Sequence, residues 1–166
     1  MSESSSKTVW LDGLACSIES TLDIIGDRWS LLVLRQALEY QMTRFSEFET
    51  TLGIAPNILT DRLEKIVSAG VFERRVYQEP GLRPRYSYHA TAAGEKLKLV
   101  LAALQQWGDE YRTPPEGPTV LRRSEDRDLP VRVAFVDEAN DVVPLGNMVF
   151  VTAPVYLERA AEKGGS

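Results

Sequence analysis

Residues 56–69 divide into two faces that few folds can use. Leu59, Leu63, Ile66 and Val67 recur at the three- and four-residue steps of one helical stripe, while Asn57, Thr60, Asp61, Glu64, Lys65 and Ser68 fall on the opposite side. Pro56 suits the first turn of such a helix and Gly70 its stop. The apolar side must dock on a core, and the polar side is left facing outward. A plain amphipathic surface helix would carry the same pattern, so the neighbouring segments decide its meaning. Upstream, Phe45-Ser46-Glu47-Phe48 begins a short helix ending near Leu52, and Gly53 supplies a tight turn at positive φ. Downstream, Val71 to Gln78 and Arg85 to Ala90 are rich in Val, Phe and Tyr and read as strands. Glu79-Pro80-Gly81-Leu82-Arg83-Pro84 between them is a strongly punctuated turn.

Short helix, glycine turn, amphipathic helix, strand, basic turn, strand is the order of a winged helix-turn-helix. The expected fold class is mainly α with a β-hairpin wing (α+β), with a small C-terminal β appendage. In this arrangement the polar helix face enters a DNA major groove and the hairpin tip reaches adjacent phosphates. Asn57 and Thr60, near the helix N-terminus, are candidate readers of base edges, and Arg62 and Lys65 candidate phosphate contacts. Asp61 would accept from a cytosine amino group or pair with Arg62. Arg83 and Arg85 at the wing are candidate phosphate or minor-groove contacts, and Arg44, just before the short helix, completes the candidate DNA-binding set.

The net charge of −5 argues against nucleic acid at first, but its distribution does not. From Arg28 to Lys98 there are eleven Lys/Arg and eight Asp/Glu, a balance of +3, which leaves −8 for the flanks. The densest basic stretch is 74–85, with Arg74, Arg75, Arg83 and Arg85 against Glu79.

Around this centre, Ser17 caps a first helix whose Ile18, Leu22 and Ile25 share one face, and Gly26-Asp27 ends it. A second helix, from about Arg28 to Glu39, is apolar nearly all round and reads as the buried centre. Thr91 caps a long helix to about Tyr111 on which Leu97, Val100, Leu101, Leu104, Trp107, Gly108 and Tyr111 recur at three- and four-residue steps. One wing domain covers only part of that face. Two copies about a two-fold axis would bury it together with the first helix, so Ile18, Leu22, Leu97, Leu101, Leu104, Trp107 and Tyr111 are the candidate dimerisation residues. The expected organisation is a flexible arm at 1–14, the winged domain with its dimerisation helices at 15–112, a linker at 113–118, and a small β-rich extension at 119–166. In the extension, Val131 to Val136 and Met148 to Val151 read as short strands, Glu138 to Asp141 as a turn, and the tail from Glu162 as frayed.

Cys16 followed by a helix, Ile25-Gly-Asp-Arg-Trp29, Leu32-Val-Leu-Arg35, Arg44-Phe-Ser-Glu-Phe48, Gly53-Ile-Ala-Pro-Asn-Ile-Leu-Thr-Asp-Arg-Leu63 and Gly70-Val-Phe-Glu-Arg74 closely resemble the HxlR family of winged-helix regulators. So do Tyr86-Ser-Tyr88, Thr91-Ala-Ala-Gly94 and Trp107-Gly108, and the resemblance covers about residues 15–112. It implies a homodimer on a roughly palindromic operator near promoters, with the terminal helices rather than the wing forming the dimer interface. The chain departs from the family where Ser17 stands in place of the frequent proline after the cysteine. It also lacks the cysteines that some relatives carry in a C-terminal extension, so no metal is implied there.

Cys16 is the only cysteine, which excludes an intramolecular disulfide and a Cys-based zinc site. In some HxlR-type regulators the equivalent cysteine resembles a redox or electrophile sensor. Cys16 is therefore the candidate sensor for a small-molecule or redox effector, with a buried packing role the favoured reading. His89 has no second histidine to share a metal. There is no Gly-rich phosphate loop, HExxH motif or Gly-x-Ser-x-Gly elbow, so no cofactor, metal or catalytic site is expected. No apolar run reaches ~18 residues, and residues 1–8 lack a signal-peptide core. The chain reads as a cytoplasmic protein with no membrane partner, its partner being double-stranded DNA. The competing reading is a winged helix used for protein–protein contact without DNA.

Overall fold

A corner made by Gly26 and Asp27 sets the relation between the first two helices, α1 (Ser17–Ile25) and α2 (Arg28–Tyr40). The computed structural model describes residues 16–163, so the arm expected at 1–14 lies outside the described residues. Gly26 donates its N–H to the Leu22 carbonyl at 2.7 Å. A Cβ at Gly26 would lie 2.4 Å from that same oxygen, so the corner needs glycine. Asp27 then caps α2, its Oδ1 accepting from the N–H groups of Trp29 and Ser30 at 3.0 Å each. Helix α2 buries Ser30, Val33, Leu34, Gln36 and Leu38, the central position its composition implies.

Helix α3 (Phe45–Leu52) ends at Gly53, whose φ of 60° is the left-handed geometry expected of it. Helix α4 (Pro56–Ser68) follows, with proline in its first turn. Leu59, Leu63 and Ile66 are fully buried and join Val33, Leu34, Phe48 and Phe72 in one core. Burial of each such side chain contributes about 1.5–3 kcal/mol before entropy is counted.

Strands β1 (Phe72–Tyr77) and β2 (Arg85–Ala90) pair antiparallel, from Phe72 opposite Ala90 to Tyr77 opposite Arg85. A bridge between Arg44 and Ser87, with the Tyr88 N–H donating to the Thr43 carbonyl at 2.7 Å, ties the hairpin to the start of α3.

The long helix expected over 91–111 is two helices, α5 (Ala92–Lys96) and α6 (Lys98–Tyr111). They join at Leu97, where the Leu97 N–H bonds the Gly94 carbonyl at 3.0 Å in a tighter i→i+3 turn. The junction sits where α5 meets the hairpin. Thr91 Oγ1 donates to the Gly70 carbonyl at 2.7 Å and accepts from the Gly94 N–H at 3.2 Å. Gly94 lies directly on the Val71 carbonyl. Leu101 is buried in the core and Leu97 packs half-buried against it, so these two expected dimer residues serve the protomer itself.

After Gly117, at φ +100°, the chain turns back along α6. The Gln105 amide donates to the Val120 carbonyl at 2.9 Å. The Gln106 side chain makes a two-way pair with the Val133 backbone at 2.8 and 3.0 Å. Arg122 pairs with Asp109 at 2.8 Å. The compact unit therefore runs from Ser17 to Val133.

The chain from Ala134 clusters separately. It holds a two-residue hairpin, β3 (Phe135–Val136) with β4 (Val142–Val143), closed by Asp137 Oδ1, which accepts from the N–H groups of Ala139 and Asp141. A 3-10 turn, Leu145–Asn147, and helix α7 (Pro154–Lys163) follow. The longest element of this segment is thus a helix, contrary to the β-rich extension expected there. Pro154 at its first turn is the signal in the sequence that points to it. Met148 to Val151 form no strand, and residues 131–134 do not join β3. β-rich composition alone does not supply a pairing partner.

A Cβ at Gly94 would lie 2.2 Å from the Val71 carbonyl oxygen, a backbone atom that cannot rotate away. Gly94→Ala should therefore destabilise the protein by about 1–3 kcal/mol. Urea unfolding followed by circular dichroism would read this as a lower midpoint, and an unchanged midpoint would show that the contact yields without cost.

Candidate nucleic-acid interface

The polar face of α4 stands clear of the core. Asn57, Thr60, Asp61, Glu64 and Lys65 are all exposed. Thr60 Oγ1 donates to the Pro56 carbonyl at 2.9 Å, which fixes the hydroxyl and leaves it an acceptor toward solvent. Lys65 is free of any ion pair among the described residues, as are Arg83 in the hairpin loop and Arg85 at the start of β2. The loop is held in shape by the Gln78 amide donating to the Leu82 carbonyl at 3.0 Å and by the Leu82 N–H donating to the Glu79 carbonyl at 3.0 Å.

The other basic residues of this region are engaged within the chain. Arg44 pairs with Glu79 at 2.7 Å and lies 4.8 Å from the Tyr77 ring centroid, so it fastens the wing to the start of α3. Arg74 stacks over Tyr86 at 5.1 Å, and Arg75 pairs with Glu73. The basic density of 74–85 thus resolves into two free arginines, Arg83 in the loop and Arg85 at the start of β2, and two committed ones on β1.

Arg62 differs most from expectation. It does not pair with Asp61. Its Nε donates to Asp27 Oδ1 at 2.9 Å, with both side chains about 30% exposed. Spaced three residues from Leu59 and four from Ile66, Arg62 flanks the apolar stripe rather than the polar face. Burial pushes the Asp27 carboxyl up. Hydrogen bonds from the Ser30 hydroxyl and N–H, with the Arg62 charge, outweigh it and hold the group below its ordinary value.

A groove of about 420 Å³ between α3 and the wing is lined by Phe45, Ser46, Glu49, Tyr77, Arg85, Tyr86 and Tyr88. Arg85 reaches it from the wing, so the groove adjoins the same surface. On α1 and α6, Ile18, Leu22, Leu104, Trp107 and Tyr111 are each more than half exposed. Cys16 is exposed as well, against the buried packing role favoured for it. Among the described residues, no group of acidic, histidine and cysteine side chains could hold a metal, and no helix is long and apolar enough to cross a membrane.

An outward polar helix, a glycine turn before it and a hairpin with free arginines define a winged helix-turn-helix. The family profile for HxlR-like helix-turn-helix proteins matches residues 24–116, more than half of the chain. The chain belongs to that family of DNA-binding transcription regulators. The HTH-type transcriptional regulator Rv3095 of Mycobacterium tuberculosis is 38% identical over 107 residues, 64% of this chain. The match spans 66% of that relative, just under two thirds of its length. Among solved structures, the transcription factor PA1607 superposes with a TM-score of 0.71 at 33% identity, covering 85% of this chain and 97% of its own. The transcription factor PA1374 of Pseudomonas aeruginosa gives 0.62 at 34% identity, covering 89% and 99%.

Helix α3 offers a test of how this module is held together. Glu47 Oε2 accepts from the N–H groups of Arg44 and Thr43 at 2.8 and 2.9 Å, and these bonds hold its carboxyl below the ordinary 4.5. Because the native value is depressed, its stabilising contribution is complete above the ordinary value and is lost as pH falls through the native one. Glu47→Ala should lower stability at neutral pH and flatten the acid limb of the pH–stability curve. An acid limb parallel to that of the wild type would contradict the assignment.

Proposed function

We propose that the chain acts as a homodimer that binds a roughly palindromic operator, and that it regulates transcription rather than catalysing a reaction. The observation that carries this is the free polar face of α4 beside two wing arginines with no ion pair among the described residues. Asn57 and Thr60 read base edges, Asp61 is placed to accept from a cytosine amino group, and Lys65, Arg83 and Arg85 contact phosphates. Arg44 acts from behind, by bracing the wing.

The dimer reading rests on a different surface. Leu104, Trp107 and Tyr111 of α6, with Ile18 and Leu22 of α1, leave large apolar side chains in water. Gly108 lies on the same α6 face, and a Cβ there would meet nothing within 4 Å in the protomer. A glycine inside a helix costs about 0.5–1 kcal/mol relative to alanine. Close approach of a second backbone at that point would account for it. A two-fold axis through this face would set two α4 helices about one DNA turn, roughly 34–36 Å, apart or a multiple of it.

The wing is tested by salt dependence. The Arg83→Ala/Arg85→Ala variant should bind specific and non-specific duplexes more weakly, and the log–log salt slope should shrink by about 0.9 for each phosphate no longer neutralised. Fluorescence anisotropy across a salt series reads both quantities, and an unchanged slope would remove the wing from the interface. The dimer is tested separately. Leu104→Lys should convert the protein to a folded monomer by light scattering and lower operator affinity with it. A wild-type protein that is monomeric at working concentration yet binds a palindromic duplex without cooperativity would exclude this reading.

A further inference from the structure

One carboxylate, at the corner that follows α1, joins α2 to α4. Asp27 stands at the corner where α1 ends and α2 begins. Its Oδ1 accepts from the N–H groups of Trp29 and Ser30, and its Oδ2 from the Ser30 hydroxyl at 2.6 Å. The same Oδ1 accepts from Arg62 Nε, at the middle of α4. Residues 59, 63 and 66 are fully buried and set how deeply α4 seats, but hydrophobic burial has no preferred direction. A hydrogen bond between charged groups has one.

We propose that the Asp27–Arg62 pair is a positioning link, fixing the reading helix α4 to the corner from which α1 departs and so coupling the dimer face to DNA discrimination. Arg62 on this view touches no phosphate. Asp27 matters for DNA although it carries the wrong charge to contact it. The inference rests on the operator-binding reading above.

The two roles for Arg62 make opposite demands on Asp27. If Arg62 were a phosphate contact, freeing it from Asp27 and removing a negative charge would tighten DNA binding. If the pair positions α4, the same change must weaken specific binding. Asp27→Asn is the sharp variant, because asparagine still caps a helix. Arg62→Gln breaks the pair while leaving the α2 cap intact, so the test stands even if the first variant folds poorly.

The probes are a duplex enriched by the wild-type chain from a random library and a scrambled duplex of equal length. Both variants should lose about ten-fold in affinity for the enriched duplex. Affinity for the scrambled duplex and the salt slope should stay at wild-type values. The double variant should lose no more than either single one, since both remove one link. Wild-type or tighter binding of the enriched duplex by Asp27→Asn would overturn the proposal. So would a slope reduced by about 0.9 in Arg62→Gln, which marks one phosphate fewer neutralised. Additive losses in the double variant would overturn it too. If the wild type enriches no duplex at all, the operator-binding reading itself falls, and this coupling with it.

Discussion

The seating of α4 on α2 is the contact on which the rest of the unit depends. Leu59, Leu63 and Ile66 are removed from water completely, and among the described residues only Val33 and Leu34 of α2, Phe48 of α3 and Phe72 of β1 match them in burial as large core side chains. Every element that shapes the outward surface is attached to this cluster. Helix α3 enters it through Phe48, the hairpin through Phe72 and α6 through Leu101. Dispersion and hydrophobic burial hold the cluster together but do not aim it. Aim comes from a few polar contacts at its edge: Asp27 with Arg62, Thr91 with Gly70, and Arg44 with Glu79. A protein of this kind needs both, since a reading surface that is stable but free to rotate would bind DNA without discriminating.

Much of this is legible in the sequence because it is local. Gly53 and Gly70 take the positive φ their positions imply, and α4 keeps the two faces that its spacing describes. Strand β2 runs from Arg85 to Ala90 as its composition suggests. What cannot be read depends on distant partners. Leu97 and Leu101 share the spacing of Leu104 and Trp107, and periodicity along one helix does not tell which turns face the protomer's own core. The break at Leu97 closely follows Gly94, which lies against the Val71 backbone more than twenty residues away. Arg62 reads as a DNA contact because it lies on the outward-facing helix and carries positive charge. Its partner Asp27 lies thirty-five positions upstream. A stripe-flanking position for Arg62 is the one available signal. The exposure of Cys16 escapes the sequence for a related reason, since burial of a small residue is decided by tertiary neighbours.

The charge pattern also gains meaning from the fold. The excess of +3 between Arg28 and Lys98 is not spread evenly over a surface. Internal pairs absorb Arg44, Arg62 and Arg75, and stacking on Tyr86 engages Arg74. On α4 and the wing, what remains available among the described residues is Lys65, Arg83 and Arg85. A modest number of free cations suits a sequence-selective binder, because each further one would raise affinity for any duplex and dilute the preference for the right one.

The segment that follows Gly117 has a consequence for how such proteins diversify. The family match stops at residue 116, yet the compact unit continues to Val133. Residues 119–133 grip α6 through Gln105, Gln106 and Asp109, a side distinct from the one bearing Leu104, Trp107 and Tyr111. One helix therefore carries the strap and an exposed apolar face on separate sides of its circumference. Mutation can build, lengthen or erase the added strap by altering three polar anchors while the apolar side stays under independent selection. A regulator can acquire new parts in this way while the exposed apolar face of α6 stays unchanged.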